Sequence, residues 1–446
     1  MAPNSSAPDS PTTASHNRAG DETRGTSPVL FAALLLIIAA AFVLLARQMT
    51  GVPESGDLRA VWLAGKYYPS DDLGSVYRLY DGVFSMAPPD VWIADIQTQG
   101  IETPVYPFIY PPLWAWAMSW IVPLTTMDAF GQVMALVNPC LMFLCAFLAL
   151  RIAAPKLSPL LYLAIGLAIA LNSFLFLLPL AENQPQILVA FFTLLGIERA
   201  RNGAPVWGGL ALAFAASMKV YPVIFAFLWL ASGQKRATYS FALFGGSLGL
   251  FSIVVAGWPM HAAFLSELSA ISKTALVSRA NFSLDPLIAV LTIPPELMSS
   301  GDTSVTGGQT SWHYVAKSGI WMGISNAIQL LTFVLLLVIA RRTRMQDPLL
   351  WPFAIIAVAW VSPLSWVYHY MAAMFFLPSL IDRLGGRLGV ILIVAIVAPT
   401  HVTLILNGFI ASLDSNALAI WNNAAFVLAA ACFAWLAMRS GKADPA

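Results

Sequence analysis

Residues 204–232 read APVWGGLALAFAASMKVYPVIFAFLWLAS, and they decide how the chain is threaded through a membrane. The stretch is long enough for one membrane span, but Lys219 and Pro222 interrupt its apolar run. Read as one span, it places Lys235 and Arg236 on the outer side and inverts everything that follows. Read as a hairpin, each arm of about 13 residues rises only about 20 Å, too little for a hydrocarbon core of about 30 Å. We predict the hairpin, with Lys219 at a sunken tip that lines a wet cavity open to the outer face.

The composition places the chain among polytopic membrane proteins. Of its 446 residues, 59% are hydrophobic and 10% are charged, and the mean hydropathy is +0.75. A soluble fold would need several helices buried on all sides. The net charge of +1 and the lack of a basic stripe argue against a nucleic-acid partner. The three cysteines are odd in number and lack metal-ligand spacing, so we interpret them as small core residues.

Twelve apolar segments are candidate membrane segments, and the basic residues orient them. Lys and Arg accumulate in short cytoplasmic loops. With the N-terminus inside, most of the 23 Lys and Arg residues fall on the inner side. We therefore expect an all-α polytopic protein of a bacterial plasma (inner) membrane with both termini in the cytoplasm. The predicted segments are 29–47, 128–151, 157–180, 184–198, 204–218, 220–232, 237–258, 318–340, 348–361, 366–381, 388–411 and 416–438.

The predicted segments form one transmembrane domain, 28–439, between two cytoplasmic tails. Residues 1–27 are rich in Pro, Ser and Thr, so we expect a disordered tail, and residues 440–446 form the second tail. The first apolar run is long for a signal-peptide core and follows two acids, which favours an uncleaved span. Two long loops, about 48–127 and 259–317, lie on the outer side.

The pair 348–361 and 366–381 repeats the hairpin pattern. Its tip reads SPLSWVYHY over residues 362–370. Short, Pro-interrupted segments with polar tips are tolerated in a membrane where they line a cavity. The alternative for both pairs is a kinked helix whose polar ends snorkel to the surface.

Six short motifs follow one another along the predicted outer-side segments: Gly56-Asp57-Leu58 with Trp62, Tyr110-Pro111-Pro112, Glu182-Asn183-Gln184, 216–222 (ASMKVYP), Asn281-Phe282-Ser283-Leu284 and 362–370. Together they resemble glycosyltransferase family 87, the polyprenol-phosphate-mannose-dependent mannosyltransferases with the GT-C membrane fold. The resemblance extends from about residue 30 to 438.

The resemblance implies an inverting transferase that needs no metal or cofactor. It would move a hexose, expected to be mannose, from a polyprenyl-phosphate sugar to a glycolipid or glycan acceptor at the outer face, among membrane lipids. Such chemistry needs a carboxylate as general base for the acceptor hydroxyl and cations or donors for the departing phosphate. Two alternatives remain open: a GT-C enzyme that uses another lipid-phosphate sugar, and a secondary transporter. A transporter should show two similar halves, but both hairpins lie in the second half of the chain.

Asp57 is the predicted general base, because the resemblance places an acid just beyond the first span. Glu54 is its nearest competitor, and a helix N-cap or a partner for Arg59 is the alternative role. Lys219, His369 and Arg279 are the predicted ligands of the donor phosphate. For Lys219 the alternative is snorkelling, for His369 a structural role, and His313 is a weaker rival. The predicted substrate-binding residues are Glu182, Asn183, Tyr110, Asn281 and Trp366.

Overall fold

The computed structural model describes residues 28–51, 55–70, 72–100, 105–301, 312–409, 413 and 415–440. The predicted tail 1–27, residues 441–446 and Glu54 lie outside the described residues. Most of the described chain is helical. The α-helices are α1 (Pro28–Thr50), α2 (Gly56–Tyr67), α3 (Leu73–Val76), α4 (Asp90–Thr98), α5 (Pro112–Ile121), α6 (Met127–Ala153), α7 (Pro159–Leu171), α8 (Phe174–Ala181), α9 (Gln186–Arg201), α10 (Pro205–Met218), α11 (Val223–Ser232), α12 (Lys235–Ser272), α13 (Leu284–Thr292), α14 (Gly319–Thr343), α15 (Leu350–Val361), α16 (Met371–Met374), α17 (Pro378–Leu384), α18 (Gly386–Val397), α19 (Val402–Leu406) and α20 (Ser415–Ser440).

Within the described residues, five helices are long and apolar enough to cross a membrane. The pair α8 and α9, bent by 119° at its break, makes a sixth candidate. The protein is therefore a mainly helical integral membrane protein. The remaining predicted segments are shorter apolar helices, so twelve membrane segments stay a prediction. The five long candidates are Pro28–Thr50, Met127–Ala153, Lys235–Ser272, Gly319–Thr343 and Ala417–Arg439.

Local sequence signals begin several of these helices. The Thr126 hydroxyl accepts a hydrogen bond from Ala129 N at the start of α6, and Ser158 and Ser318 cap α7 and α14 in the same way. Such caps satisfy backbone N–H groups that have no partner inside the helix. Pro205 begins α10, where a missing N–H costs nothing.

The helices α10, α11 and α12 confirm the first predicted hairpin. Ser240 Oγ donates to Val206 O at 2.7 Å. A Cβ atom added to Gly209 would lie 2.5 Å from Phe241 N, and one added to Gly245 would lie 3.7 Å from the Ala213 Cβ. The contacting residues increase in number in the same order along both helices, so α10 and the first half of α12 run in the same direction. The intervening α11 must therefore run back, and residue 219 lies at the turn.

The second hairpin is confirmed by the contact between its two ends. Asp347 Oδ2, before α15, lies 3.3 Å from Arg383 Nη2 at the end of α17. The returning arm differs from the predicted helix 366–381, because it consists of a 3₁₀ helix (Val367–Tyr370) followed by α16 and α17. Pro378, which lacks a backbone N–H, begins the last of these helices.

Two other predicted segments, 157–180 and 388–411, are each broken in the middle. The first divides into α7 and α8 at Ser173, and the second divides into α18 and α19 near His401. The breaks pair with each other: Ser173 and His401 form an antiparallel bridge, and Val402 N donates to Asn172 O at 2.9 Å. Backbone N–H and C=O groups that a break leaves unpaired inside a membrane protein must find partners within the protein. Here the two breaks provide hydrogen-bond partners for each other.

The second of the two long loops contains a small sheet that the sequence does not predict. Its strands are β1 (Thr274–Ser278), β2 (Ser299–Ser300) and β3 (Trp312–Ala316), antiparallel in the order β1–β3–β2. The loop also begins later than predicted, because α12 continues beyond residue 258 through a kink at Gly257, where φ is +74°. This left-handed conformation favours glycine.

Two hydrophobic cores hold the helices together and pack the first long loop against them. The larger core lies among α6 to α9, α11 and α15 to α17. A second core packs the first outer loop onto α12, with Tyr77, Trp92 and Phe264 buried in it. This second core holds α2, which carries Asp57, against the rest of the molecule.

Candidate active site

A cavity of about 250 Å³ lies where α2, the α8–α9 break, both hairpin tips and the sheet meet. Six of the nine predicted site residues line it: Asp57, Tyr110, Glu182, Lys219, Arg279 and Trp366. They come from positions more than 300 residues apart in the chain. The tertiary fold therefore gathers most of the predicted site into one space.

Asp57 lies in the first turn of α2 but does not cap that helix. The cap comes from Glu182, whose Oε2 accepts from Gly56 N at 2.9 Å and whose backbone O accepts from Leu58 N at 3.4 Å. The Asp57 carboxylate instead accepts a hydrogen bond from the side chain of Gln184 and borders the cavity. An N-terminal helix position also favours its negative charge.

Burial raises the pKa of the Asp57 carboxyl above its usual range. The positive charge of Lys219 and the Gln184 hydrogen bond act in the opposite direction, and burial outweighs them. Desolvation penalises the charged form of a carboxyl group, whereas a nearby cation and a hydrogen bond to the carboxylate favour it. A carboxylate with a raised pKa is a stronger base, as proton abstraction from a hydroxyl requires.

Lys219 is held at the end of α10 by two aromatic rings and one imidazole. Its backbone leaves the helix in an extended conformation (φ −139°, ψ 135°). Nζ lies 5.5 Å from the ring centroids of both Tyr110 and Tyr368, and 3.3 Å from His369 Nε2. Aromatic faces attract a cation without neutralising it. The Lys219 side chain therefore points into the cavity rather than towards the membrane surface, as snorkelling would require.

His369 contacts the Lys219 ammonium but does not line the cavity that contains Asp57. Its Nδ1 lies 3.1 Å from Trp366 O, which can only accept, so Nδ1 carries the proton and Nε2 is left to accept from the Lys219 ammonium. This arrangement defines one neutral tautomer. His369 lines a neighbouring cavity on the other side of the pair.

Gln184 and Tyr368 stand outside the predicted set but connect its members. Tyr110 Oη donates to Gln184 Oε1 at 2.8 Å, and Gln184 Nε2 donates to Tyr368 Oη at 2.7 Å. Because the amide also donates to Asp57, Gln184 links the acid to both rings that flank Lys219. Both residues lie inside the quoted motifs, next to Asn183 and His369, which is the signal that could have indicated them.

Asn183 and Asn281 lie beside the cavity, with their side chains bonded inside the protein. Asn183 Nδ2 donates to Ser55 Oγ at 2.8 Å, and its Oδ1 accepts from Asn138 Nδ2 at 3.0 Å. Asn281 Oδ1 accepts from Ser365 N at 3.1 Å, which fixes the tip of the second hairpin. The structure therefore gives both residues positioning contacts. Asn183 connects the α8–α9 break to the residue before α2, and Asn281 holds the second hairpin tip.

Aromatic and basic residues form the outer rim of the cavity. Arg279 follows β1 and is exposed, while Trp312 on β3 is buried and lies with Tyr106 along one wall. The Trp366 backbone O anchors His369, and its side chain faces the cavity. Rings of this kind pack against the C–H faces of sugars, while the cation can attract phosphate.

An apolar cavity of about 260 Å³ adjoins the Lys219–His369 pair. It lies between α11, α14, α15 and the second hairpin tip. Tyr221 and His369 form the part of its wall nearest to Lys219. Helix α14 has many exposed apolar side chains, among them Leu330 and Leu331, which are 62% and 67% exposed. This cavity therefore borders a helix whose outer face suits lipid.

Across the ranges described, no group of three His, Cys, Asp or Glu side chains is arranged to hold a metal ion. Metal independence stays a prediction from the family resemblance.

Asp57 and Lys219 thus place a carboxylate and an ammonium on one cavity between the helices. The class of enzyme follows from the sequence: residues 108–316 match the sequence model of glycosyltransferase family 87. The protein is a glycosyltransferase, and the resemblance to family 87 predicted from its motifs is confirmed. The matched region includes Tyr110, Glu182, Lys219 and Arg279. No curated protein matches the chain.

Proposed function

We propose that the protein is an inverting mannosyltransferase of the outer face of a bacterial plasma membrane. It takes mannose from a polyprenyl-phosphate donor and transfers it to a glycolipid or glycan acceptor. The observation that carries this proposal is the placement of Asp57 and Lys219 on one cavity, next to a second, apolar cavity beside α14. A transfer from a lipid phosphate needs a base near the acceptor hydroxyl, a cation near the phosphate and, beyond the phosphate, a space for the lipid chain.

Asp57 is the general base of the proposed reaction. As the acceptor hydroxyl oxygen attacks the anomeric carbon, its proton passes to the Asp57 carboxylate. The bond from the anomeric carbon to the phosphate oxygen breaks on the opposite face, and the electron pair leaves with the lipid phosphate. A single displacement of this kind inverts the anomeric configuration. The buried position of Asp57 and its bond from Gln184 support this role.

Lys219 stabilises the charge that develops on the departing phosphate. A fixed cation in a site of low dielectric constant is worth far more than one in water, and it needs no reorganisation during the reaction. His369 holds the Lys219 ammonium in place through Nε2. Arg279, at the rim, is a second cation for the phosphate or for an anionic acceptor group.

The prenyl chain of the donor occupies the apolar cavity between α11, α14 and α15. That cavity meets the active-site cavity at the Lys219–His369 pair, so a phosphate at the pair would join a sugar on one side to a lipid on the other. In this proposal both hairpin tips lie at the outer face, and the chain adopts the GT-C fold with twelve membrane segments and cytoplasmic termini.

Incubation of the purified protein with labelled polyprenyl-phosphate mannose and glycolipid acceptors tests this function. We expect transfer with inversion, determined from the anomeric configuration of the product, and a loss of about 10²- to 10⁴-fold in the Asp57→Asn variant. Asp95→Asn is the matched control, because Asp95 forms an exposed ion pair with Lys66 on another side of α2. If only a lipid-phosphate sugar other than mannose serves as donor, that sugar would take the place of mannose in the proposal. Full activity of Asp57→Asn would remove the proposed base.

A further inference from the structure

A larger cavity, of about 500 Å³, lies next to the active-site cavity on the side of the sheet. Its walls come from β1, β3, α13 and the beginning of α20. Ser278 and Arg279 line both cavities, so the two spaces meet at the end of β1. A ligand bound at Asp57 could therefore extend past Arg279 into the larger space.

The lining of this cavity alternates polar and apolar groups. His313, Asn422 and Asn423 contribute polar atoms, whereas Leu287 and Val290 of α13 contribute apolar surface. A lipid chain would offer these polar side chains no hydrogen bonds, and a purely ionic ligand would not use the apolar wall. Sugar rings present hydroxyl groups and C–H faces together, which suits such a mixture.

One of these side chains is incompletely bonded. Asn422 is buried, and its Oδ1 has no hydrogen-bond partner in the described structure. Its neighbour Asn423 is satisfied, since Oδ1 accepts from Trp360 Nε1 at 2.8 Å and Nδ2 donates to Ala419 O. A buried acceptor without a partner is unfavourable, and a hydrogen bond from a ligand hydroxyl would remove that penalty. The Asn422 amide thus points to a hydroxyl-bearing ligand in this cavity.

We propose that the larger cavity binds the inner sugar units of the acceptor, so that the enzyme extends an existing oligosaccharide of at least two units. The terminal unit presents its hydroxyl to Asp57, and the chain passes Arg279 into the cavity lined by His313 and Asn422. This inference rests on the proposed transferase function and adds the length of its acceptor.

The test measures binding rather than turnover. The full chain carrying Asp57→Asn is placed in lipid nanodiscs, and the affinities for octyl α-mannoside and octyl α-mannobioside are compared. Val290→Phe and Ala419→Phe each add a ring to the lining of the larger cavity, one from α13 and the other from α20. Leu291→Phe and Ile420→Phe add the same ring one position further along each helix, where the side chains are 54% and 49% exposed.

We expect the mannobioside to bind at least tenfold more tightly than the mannoside. Both cavity-filling variants should lose that preference and keep the affinity for the mannoside, while both control variants should keep the preference. Equal affinities for the two glycosides, or a preference that survives both cavity-filling variants, would overturn the inference. Failure of the transferase function would show separately, as an absence of transfer from every lipid-phosphate sugar to any acceptor.

Discussion

The Lys219 ammonium lies 3.3 Å from His369 Nε2, although the two residues are 150 positions apart and belong to the tips of different hairpins. Each hairpin alone would leave a polar side chain at its tip without a partner, which is costly inside a membrane. Bringing the tips together gives the ammonium an acceptor and two aromatic faces. The contact therefore gives the polar tips of both hairpins partners inside the protein.

As the pH is lowered, the enzyme should lose activity at a higher pH than it would with a general base of ordinary aspartate pKa. Asp57 must be deprotonated to accept a proton, and burial raises its pKa, so kcat/KM should decline as the pH falls through that raised value. Because the positive charge of Lys219 lowers the pKa of Asp57, the Lys219→Met variant should lose activity at a still higher pH. The measurement is a pH profile of kcat/KM for both proteins. An acid limb near pH 4 in the unmodified protein would contradict this prediction.

Removal of the Lys219 charge should weaken donor binding. A hydrogen bond to a charged group contributes about 1.5–3 kcal/mol, so Lys219→Met should raise the Kd of polyprenyl-phosphate mannose by about 10- to 100-fold. Titration of labelled donor into the protein in nanodiscs measures the effect. Lys273→Met is the control, because Lys273 is exposed at the end of α12. Unchanged donor affinity in Lys219→Met would show that the ammonium does not hold the phosphate.

His369 should act through Lys219, which a double-mutant cycle can measure. His369→Phe removes the acceptor at Nε2 and should weaken donor binding less than Lys219→Met does. Residues that share one interaction show coupled effects. The double variant should therefore bind the donor no more weakly than Lys219→Met alone. Additive losses would mean that His369 contacts the donor independently.

Glu182 is expected to position Asp57. Glu182→Ala removes the acceptor for Gly56 N, loosens the start of α2 and should lower kcat while leaving the KM of the donor nearly unchanged. Loss of such a cap costs about 0.5–2 kcal/mol of stability. Glu182→Gln keeps an acceptor oxygen and should restore most of kcat, which separates positioning from a role for the charge. Similar losses in both variants would instead assign the function to the negative charge.

Asn281 should matter for stability and for the shape of the second hairpin tip. Its side chain accepts from Ser365 N and donates to Leu276 O at 2.7 Å, so Asn281→Leu leaves two buried backbone groups without partners. Each such group costs about 1–3 kcal/mol. We expect a lower apparent melting temperature in detergent, with Asn172→Leu as the control, since Asn172 is exposed and bonded within its own helix. An unchanged melting temperature would argue against the positioning contact.

Much of the site was predictable because its residues lie in short motifs. Asp57, Tyr110, Glu182, Lys219 and Trp366 were all identified from such motifs, and all line one cavity. Gln184 and Tyr368 were not identified, because a glutamine or a tyrosine in an apolar sequence has many uses. Their role depends on the distances to Asp57 and Lys219, which no motif spacing contains.

The fold was predictable where one physical rule dominates. The long apolar runs of α1, α6, α14 and α20 predict spanning helices, because the hydrocarbon core requires about 20 apolar residues. Segments 157–180 and 388–411 follow the same rule but are broken. Their breaks are stabilised by the long-range bridge between Ser173 and His401, which is invisible to a local pattern.

The sequence by itself determined that the chain enters a membrane, that Lys219 and the 362–370 tip must be shielded there, and which family of enzymes it resembles. Composition and the energetic cost of polar groups in lipid act locally, so a local pattern reveals them. Only the tertiary structure decided that Glu182 caps the helix of Asp57, that His369 holds Lys219, and that Arg279 joins two cavities. Those relationships depend on packing between distant segments, and packing sums many weak contacts that no single stretch of sequence specifies.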